Sequence, residues 1–433
     1  MPLYNRGCSV KDLRQSRWLF FQRLDDIKSP QDLLAYQRDL AEAIREAERG
    51  LRSKTKDKDD LRFHIDCLRL YADALVWQTL HPHTIRQLAK SSGHPPSLLT
   101  QGPAFDNVLE TAAELTQDTP FPALIADITN VIKIGDVIHV TDPECPIIVE
   151  CKSGSPKPHH AMQGRSGRQF TRAMRTAQYL AKGVARIPGE QRSLVVIETD
   201  HCPEHNWQAV EELCAQAVST GRAFRQLGPD DYAWALRPDL EDTVFLQALD
   251  RARALSNPAF GTSGGLMARH DGLFPPPPAW SISQEVRFQL VEGTIILFHL
   301  LSADTLAGNY DQRRAISIRK GDYPILVTID GQQLPPFSTR FIYNVVYAFE
   351  TVPSCVTGLL AFAQQVAQHI AEKPPRHLPD VSATKPSIYH IGSLDDIPPE
   401  GTDYVSVPYE LYTAMNAALQ ANQSDAEADE PDD

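Results

Sequence analysis

Between Ala123 and Lys152 the chain abandons helical spacing. Ile134-Gly135-Asp136-Val137-Ile138-His139-Val140 and Pro146-Ile147-Ile148-Val149-Glu150-Cys151-Lys152 are short apolar runs rich in Ile and Val, separated by the turn-forming stretch Thr141 to Pro146. Runs of this length, bounded by Gly, Asp and Pro, are read as strands. Strand side chains alternate between faces, so Glu150 and Lys152 share one face and Cys151 takes the other. Asp136 opens the preceding strand directly after Gly135, where a turn or bulge is expected. If the two strands pair as a hairpin, a carboxylate, a second carboxylate and an ammonium converge at one end of a sheet.

Two carboxylates held that close repel each other unless a cation neutralises them. A hard divalent ion with oxygen ligands does so, and Mg²⁺ keeps several of its waters while bound. Such an ion lowers the pKa of a bound water and stabilises charge on a phosphate oxygen, while the lysine orients that water. The three residues together form a set suited to phosphodiester hydrolysis. The acid-x-Lys pattern alone is cheap, since Asp26-Ile27-Lys28 also matches it within a helical stretch. Context separates the two: Glu150-Cys151-Lys152 ends a strand, has a Gly-Asp partner strand and precedes a helix.

The wider order from Phe105 to Ser219 reads helix, three strands, helix, strand, helix. The elements are a helix over 105–116, strands over 123–134, 136–140 and 147–151, a helix over 168–182, a strand over 193–198 and a helix over 207–219. With Asp136 and Glu150-x-Lys152 inside it, residues 103–225 resemble the PD-(D/E)XK nucleases, the superfamily of restriction endonucleases, junction resolvases and repair exonucleases. The resemblance implies a restriction-endonuclease-like αβββαβ core within a mixed α/β chain. It implies that Asp136 and Glu150 bind Mg²⁺ with the Cys151 backbone carbonyl, that Mn²⁺ substitutes, and that Lys152 serves the attacking water. In many members a carboxylate from the preceding helix joins the site; here Glu110 is the first candidate and Glu114 the second. The exonuclease branch carries Gln-x-x-x-Tyr on the next helix, whereas here Arg175 stands four residues before Tyr179, a departure from that branch's pattern.

The net charge of −13 would by itself argue against a nucleic-acid partner, but its distribution does not. Six acids lie after Ser424, leaving about −7 on the rest. Residues 151–189 contain no Asp or Glu, and carry Lys152, Lys157, Arg165, Arg168, Arg172, Arg175, Lys182 and Arg186. A local basic patch governs phosphate binding more than the total charge does. On a helix, Arg168, Arg172, Arg175, Tyr179, Lys182 and Arg186 fall in one sector and Phe170, Ala173, Met174, Ala177, Leu180 and Ala181 in the opposite one. Arg165, Arg168, Gln169, Arg172, Arg175 and Tyr179 are therefore the expected nucleic-acid-binding residues. DNA is favoured as substrate, although phosphate contacts do not separate DNA from RNA.

Composition divides the rest into a helical region 1–102, the nuclease-like domain 103–255, a Gly/Pro-rich linker 256–282, an α/β domain 283–420 and an acidic tail 421–433. A nuclease-like domain carried between large extra regions implies, by the family resemblance alone, a restriction or phage-defence enzyme; its toxicity to the host would need control, so a regulatory partner on the C-terminal domain and a homodimer are the candidate assemblies. Seven scattered cysteines without a CxxC pair signal neither a disulfide framework nor a zinc knuckle. His201-Cys202-Pro203-Glu204-His205 has ligand-type residues but no second half, and is not read as zinc-binding. With no apolar leader and no run long enough for a bilayer, a cytoplasmic protein without membrane contact is expected. The competing readings are a nuclease fold that has lost catalysis and acts as an interaction module, and an RNase on the same fold.

Overall fold

The computed structural model describes residues 10–53, 57–89, 95–153, 165–182, 184–186, 193–195, 199, 201–238, 250–251, 254–255, 257–263, 275–319, 324–337, 340–372 and 402–405. The chain is mixed α/β with several antiparallel sheets. It divides into two compact units, one made of 1–14, 23–185 and 382–433, the other of 15–22 and 186–381. Helix α1 (Val10–Arg23) contributes to both.

In the first unit, α2 (Pro30–Arg52) begins at a capping box. The Ser29 hydroxyl accepts the Asp32 N–H at 3.1 Å, the Asp32 carboxylate accepts the Ser29 N–H at 3.0 Å, and Pro30 occupies the first helical turn. Its buried stripe of Leu33, Leu40, Ile44 and Ala47 packs against α3 (Lys58–Thr79), which buries Leu61, Leu68 and Leu75. After α4 (Pro82–Leu88) and α5 (Leu98–Gln101), α6 (Pro103–Asp118) lies on an antiparallel sheet of β1 (Ala123–Ile125), β2 (Val137–His139) and β3 (Ile147–Ser153). The outer edge of β1 is closed by a side chain. The Gln37 amide donates to the Ala123 carbonyl at 2.8 Å and accepts the Ile125 N–H at 2.8 Å, as a neighbouring strand would.

The first strand is far shorter than the span 123–134 that the Ile/Val content suggests. A 3-10 turn replaces it from Ala126 to Ile128, and the buried Asp73 carboxylate captures the backbone beyond. Asp73 accepts the Asn130 N–H at 2.6 Å, the Val131 N–H at 3.1 Å and the Asn130 side-chain amide at 2.9 Å, so these groups leave the ladder. Burial raises the Asp73 pKa to about 6 despite these bonds. A carboxyl whose folded pKa exceeds its unfolded one favours folding while protonated and loses that contribution as pH rises through the window, here about 4 to 6. Stability of the native protein relative to Asp73→Asn is therefore expected to fall between pH 4 and 6 and to level off above. Denaturant melts of both proteins across that range check it, and a constant difference would refute the buried, ionising Asp73.

The sheet takes its fourth strand from far along the chain: Thr402–Val405 pairs antiparallel with β3, with Thr402 opposite Ser153, Asp403 opposite Lys152, Tyr404 opposite Cys151 and Val405 opposite Glu150. Helix α7 (Arg165–Lys182) packs on β3 and α4. The short β4 (Val184–Arg186) and β5 (Ser193–Val195) are not strands of this sheet, whose order is β1, β2, β3 and the C-terminal strand. The strand expected over 193–198 is thus present at its start but does not extend the sheet that carries Glu150; residues 196–198, including Glu198, lie outside the described residues.

In the second unit, α8 (Trp207–Thr220) covers an antiparallel sheet formed by β6 (Arg222–Gly228), β7 (Asp231–Leu236) and β8 (Pro258–Ser263). With them is β9 (Ile296–Ser302), which follows α9 (Gln284–Val291), and the order is β6-β7-β9-β8. This corrects the expected linker over 256–282 at its described residues, 257–263 and 275–282; 264–274 lie outside the described residues. Pro258 to Ser263 is a full partner of β9, Trp280 is buried with its indole N–H donating to the Pro275 carbonyl at 2.8 Å, and Pro277 and Pro278 are buried. Gly261 marks close packing instead of freedom, since a Cβ there would meet Val346 Cγ1 at 2.4 Å. No domain boundary falls between 255 and 283 either, because β9 lies between β7 and β8 in one ladder.

A second sheet of β10 (Gly308–Asn309), β11 (Arg314–Ile318), β12 (Ile325–Ile329) and β13 (Gln332–Gln333) follows, then α10 (Arg340–Ala348) and α11 (Val352–Glu372). The His201–His205 segment is a brace on the start of α11. His201 Nε2 lies 3.3 Å from Glu350 Oε1, the Glu204 N–H donates to Ser354 Oγ at 2.9 Å, and His205 Nδ1 lies 2.8 Å from the Ala348 carbonyl. Among the described residues, no helix is long and apolar enough to cross a membrane.

Candidate active site

The β2–β3 register brings Asp136 and Glu150 together. Val137 pairs with Val149, and the Asp136 N–H continues the ladder by donating to the Val149 carbonyl at 2.8 Å, which sets Asp136 beside Glu150. The chain enters through Gly135 at φ +84°, a conformation that costs an L side chain strain. A Cβ at this position would also stand 2.6 Å from Ile148 Cγ2. Asp136 then reaches across: its Oδ2 accepts the Cys151 N–H at 2.6 Å. Within a strand, one residue's N–H and C=O face the same edge. The Cys151 carbonyl is therefore directed to the Asp136 side of β3, and the backbone of Glu150 to the opposite edge, where the C-terminal strand lies.

Glu150 is almost fully buried, at 6% exposure, while Asp136 is half-buried. The Cys151 thiol is pushed up to about 12, first by burial and then by the negative charges of Asp136, Glu150 and Asp127; a hydrogen bond with Thr111 of α6 works the other way. Cys151 is thus no nucleophile; its elevation reports burial first, with the charges of Asp136, Glu150 and Asp127 adding to it. Asp127 is the member that sequence reasoning missed. It sits on the 3-10 turn whose Ala126 N–H donates to the Asp136 carbonyl at 2.9 Å. Burial raises its pKa, offset by Gln101 and Arg69. The signal was a lone acid in the otherwise apolar run Ala123 to Ile128.

Glu110 and Glu114 are exposed on α6, and it is Thr111, next to Glu110, that meets Cys151. The backbone of Lys152 is in β3, two residues beyond Glu150; its side chain, like those of Arg165, Arg168 and Gln169 on α7, lies outside the described part, as do His159-His160 and the acidic tail. Arg172 and Arg175 are exposed on α7 and Ala173 is buried, as expected, whereas Ala181 of the expected apolar face is exposed and Arg186 lies beyond the helix, in β4. Tyr179 departs from its expected role on the basic face. It is 5% exposed, its ring centroid 5.5 Å from that of His83 on α4, and it serves to pack α7.

Among the described residues no three His, Cys, Asp or Glu side chains form a group able to hold a metal. The donors available at Asp136, Glu150 and Cys151 are nonetheless all hard oxygens: two carboxylates from facing register positions and the Cys151 carbonyl on the β2 edge of β3. That set fits an ion such as Mg²⁺, which is bound through one or two carboxylates and retains its waters, and it lacks the His or Cys ligands around which zinc sites are usually built. Compared with protein-family models, with curated proteins and with solved structures, the chain matches none.

Proposed function

We propose that the chain is a metal-dependent nuclease of PD-(D/E)XK type, cutting DNA internally as restriction and phage-defence enzymes do. The observation that carries this reading is the placement of Asp136 beside Glu150 at the β2–β3 ladder, with the Cys151 amide fixing the Asp136 carboxylate. Asp136, Glu150 and the Cys151 carbonyl would hold Mg²⁺. When bound, the ion supplies a lowered pKa for water and a counter-charge for phosphate. Lys152 orients the attacking water and favours its deprotonated form. Hydrolysis joins the water oxygen to phosphorus and breaks one phosphorus–oxygen ester bond, and the departing oxygen takes up a proton. Burial of Glu150 keeps its carboxylate in one position, as catalysis by fixed charges requires. Incubation of the protein with plasmid, linear duplex, single-stranded DNA and RNA, with Mg²⁺, Mn²⁺ or EDTA, tests the reading. Cleavage that needs metal and is lost in Lys152→Ala supports it, and the substrate that is cut separates DNase from RNase. Absence of both cleavage and metal-induced stabilisation would favour an interaction module.

The exposed Arg172 and Arg175 supply sequence-independent affinity. Each phosphate neutralised contributes about 0.9 to the slope of log K against log salt on duplex DNA. The Arg172→Gln/Arg175→Gln variant is expected to reduce that slope by about 2 and to leave metal-induced stabilisation intact. A slope equal to that of the native protein would remove α7 from the substrate path.

A further inference from the structure

In the core of the second unit a histidine takes a place that its neighbours fill with apolar side chains. His299 lies in β9 on the same face as Leu297 and Leu301, and is 1% exposed. Its register partner on β7, Ala233, stands two residues from Asp231, so Asp231 shares that face and is buried as well. His299 Nε2 lies 2.6 Å from Asp231 Oδ1, and Nδ1 lies 3.0 Å from the Val346 carbonyl. A carbonyl oxygen only accepts, so Nδ1 carries a hydrogen. An ionised carboxylate only accepts too, so the second contact needs a proton of its own. A neutral imidazole has one N–H and an imidazolium two. The pair therefore holds one proton more than a neutral histidine beside a carboxylate. The Phe349 ring lies parallel to the imidazole within 6°, with centroids 4.6 Å apart, the placement in which a ring face attracts a cation.

That proton sits against a strained corner. Val346 belongs to the last turn of α10, whose final carbonyls have no partner within the helix. His299 serves the Val346 carbonyl, and His205 Nδ1 lies 2.8 Å from that of Ala348. Phe349 follows in the left-handed region at φ +52°, a position after a helix end where glycine is usual and a bulky residue is an outlier. Such a residue persists where its surroundings fix it. Here the ring packs against His299, Trp207 and Trp280, the Phe349 carbonyl accepts the Asn206 N–H at 2.8 Å, and the Thr351 N–H donates to the Glu204 carbonyl at 2.8 Å. The other titratable groups around the corner are His205, Glu204, and His201 and Glu350, which lie 3.3 Å apart and both reach Ser354 Oγ. Tyr347 packs beside Gly261, the register partner of His299 on β8, and the Cys355 thiol is turned to the Phe341 carbonyl.

We infer that the second unit carries a proton-operated latch: the His299 imidazolium, paired with Asp231, keeps the Phe349 corner closed, and loss of its proton opens the corner between α10 and α11. Without that proton, either a ring lone pair faces the Asp231 carboxylate in the interior or the Val346 carbonyl loses its donor. Both leave buried polar groups without partners, which the closed packing does not tolerate. The closed corner binds one proton more than the open one, so closure weakens as pH rises. All of these groups belong to the second unit, and the latch stands whether or not the chain is a nuclease.

Hydrogen exchange at the Asn206 and Thr351 amides of the full chain, corrected for the intrinsic rate at each pH, reads the opening equilibrium. Above about pH 6.5 an exposed histidine is neutral, so protection in the native protein is expected to fall about tenfold per pH unit, the slope of one proton. Asp231→Asn presents an amide N–H to a neutral ring and is expected to give a flat profile. His201→Gln removes the other histidine that faces a carboxylate and is expected to keep the native slope. Nitrogen NMR of histidine-labelled native protein at pH 7.5 needs no variant, and should show both ring nitrogens of His299 protonated. A single protonated nitrogen there, or a flat native profile, overturns the latch. So does a native slope that survives in Asp231→Asn or is lost in His201→Gln.

Discussion

Glu150→Gln is expected to lower metal-dependent cleavage on the order of 10²–10³-fold, the scale of losing one fixed electrostatic group at a reacting phosphate, while the protein stays folded. Glutamine has nearly the same volume and keeps one carbonyl oxygen, so the buried site at the end of β3 is not opened. What disappears is one of two negative charges beside each other, and with it most of the attraction for a divalent cation. Thermal melting separates this from a structural defect. A ligand that binds only the native state adds about 2.7 kcal/mol at one hundred times its Kd, so Mg²⁺ should raise the Tm of the native protein. The Tm of Glu150→Gln should remain where it is without metal. Full activity in the variant, or an equal Mg²⁺-induced rise in both proteins, would remove Glu150 from the site. Asp136→Ala is a poorer probe, because it also strips the Cys151 N–H of its acceptor, at a cost of about 1–3 kcal/mol for a buried donor.

The two carboxylates could be placed from the sequence because period-2 alternation and a Gly-Asp turn are local signals. Glu150 and Cys151 must part to opposite faces whatever the rest of the chain does. The basic face of α7 was readable for the same reason at Arg172 and Arg175, but Tyr179 was not. Helical spacing gives a sector, and only the packing of α4 decides that His83 covers that ring. Asp127 was hidden for a similar reason. It reaches the site because Asp73, in a helix more than fifty residues earlier, holds the chain after β1 out of the ladder. The linker expectation failed on glycine and proline. These residues mark flexible connections and also strands that must lie close to a helix, and Gly261 beneath Val346 is the second case. The C-terminal strand left no local signal at all, since its partner is some 250 residues away in sequence. Long-range ladders of this kind are chosen by the whole sheet, not by the pairing segment.

Gly135→Ala should be the most destabilising of these substitutions. Two costs coincide at this residue. Its φ of +84° lies in the region an L side chain avoids, worth about 1–2 kcal/mol. The added methyl would also stand 2.6 Å from Ile148 Cγ2, in a packed interior where overfilling costs about 1–3 kcal/mol. Together they predict a loss of roughly 2–5 kcal/mol, or a Tm lower by roughly 4–20 °C for a unit of this size. Gly331→Ala provides the control. That glycine also has a positive φ, +77°, but a Cβ there meets nothing within 4 Å, so it should show the conformational cost without the collision. If the two variants melt alike, Ile148 does not crowd Gly135 and the turn that positions Asp136 is built differently. If Gly135→Ala is the weaker by the expected margin, its remaining folded population tests the site as well. Relief of the collision moves β2 against β3, which lengthens the bond between Asp136 and the Cys151 amide. Metal affinity should then fall even at temperatures where the variant is fully folded. A glycine that touches neither metal nor substrate would in that way set the distance between the two carboxylates.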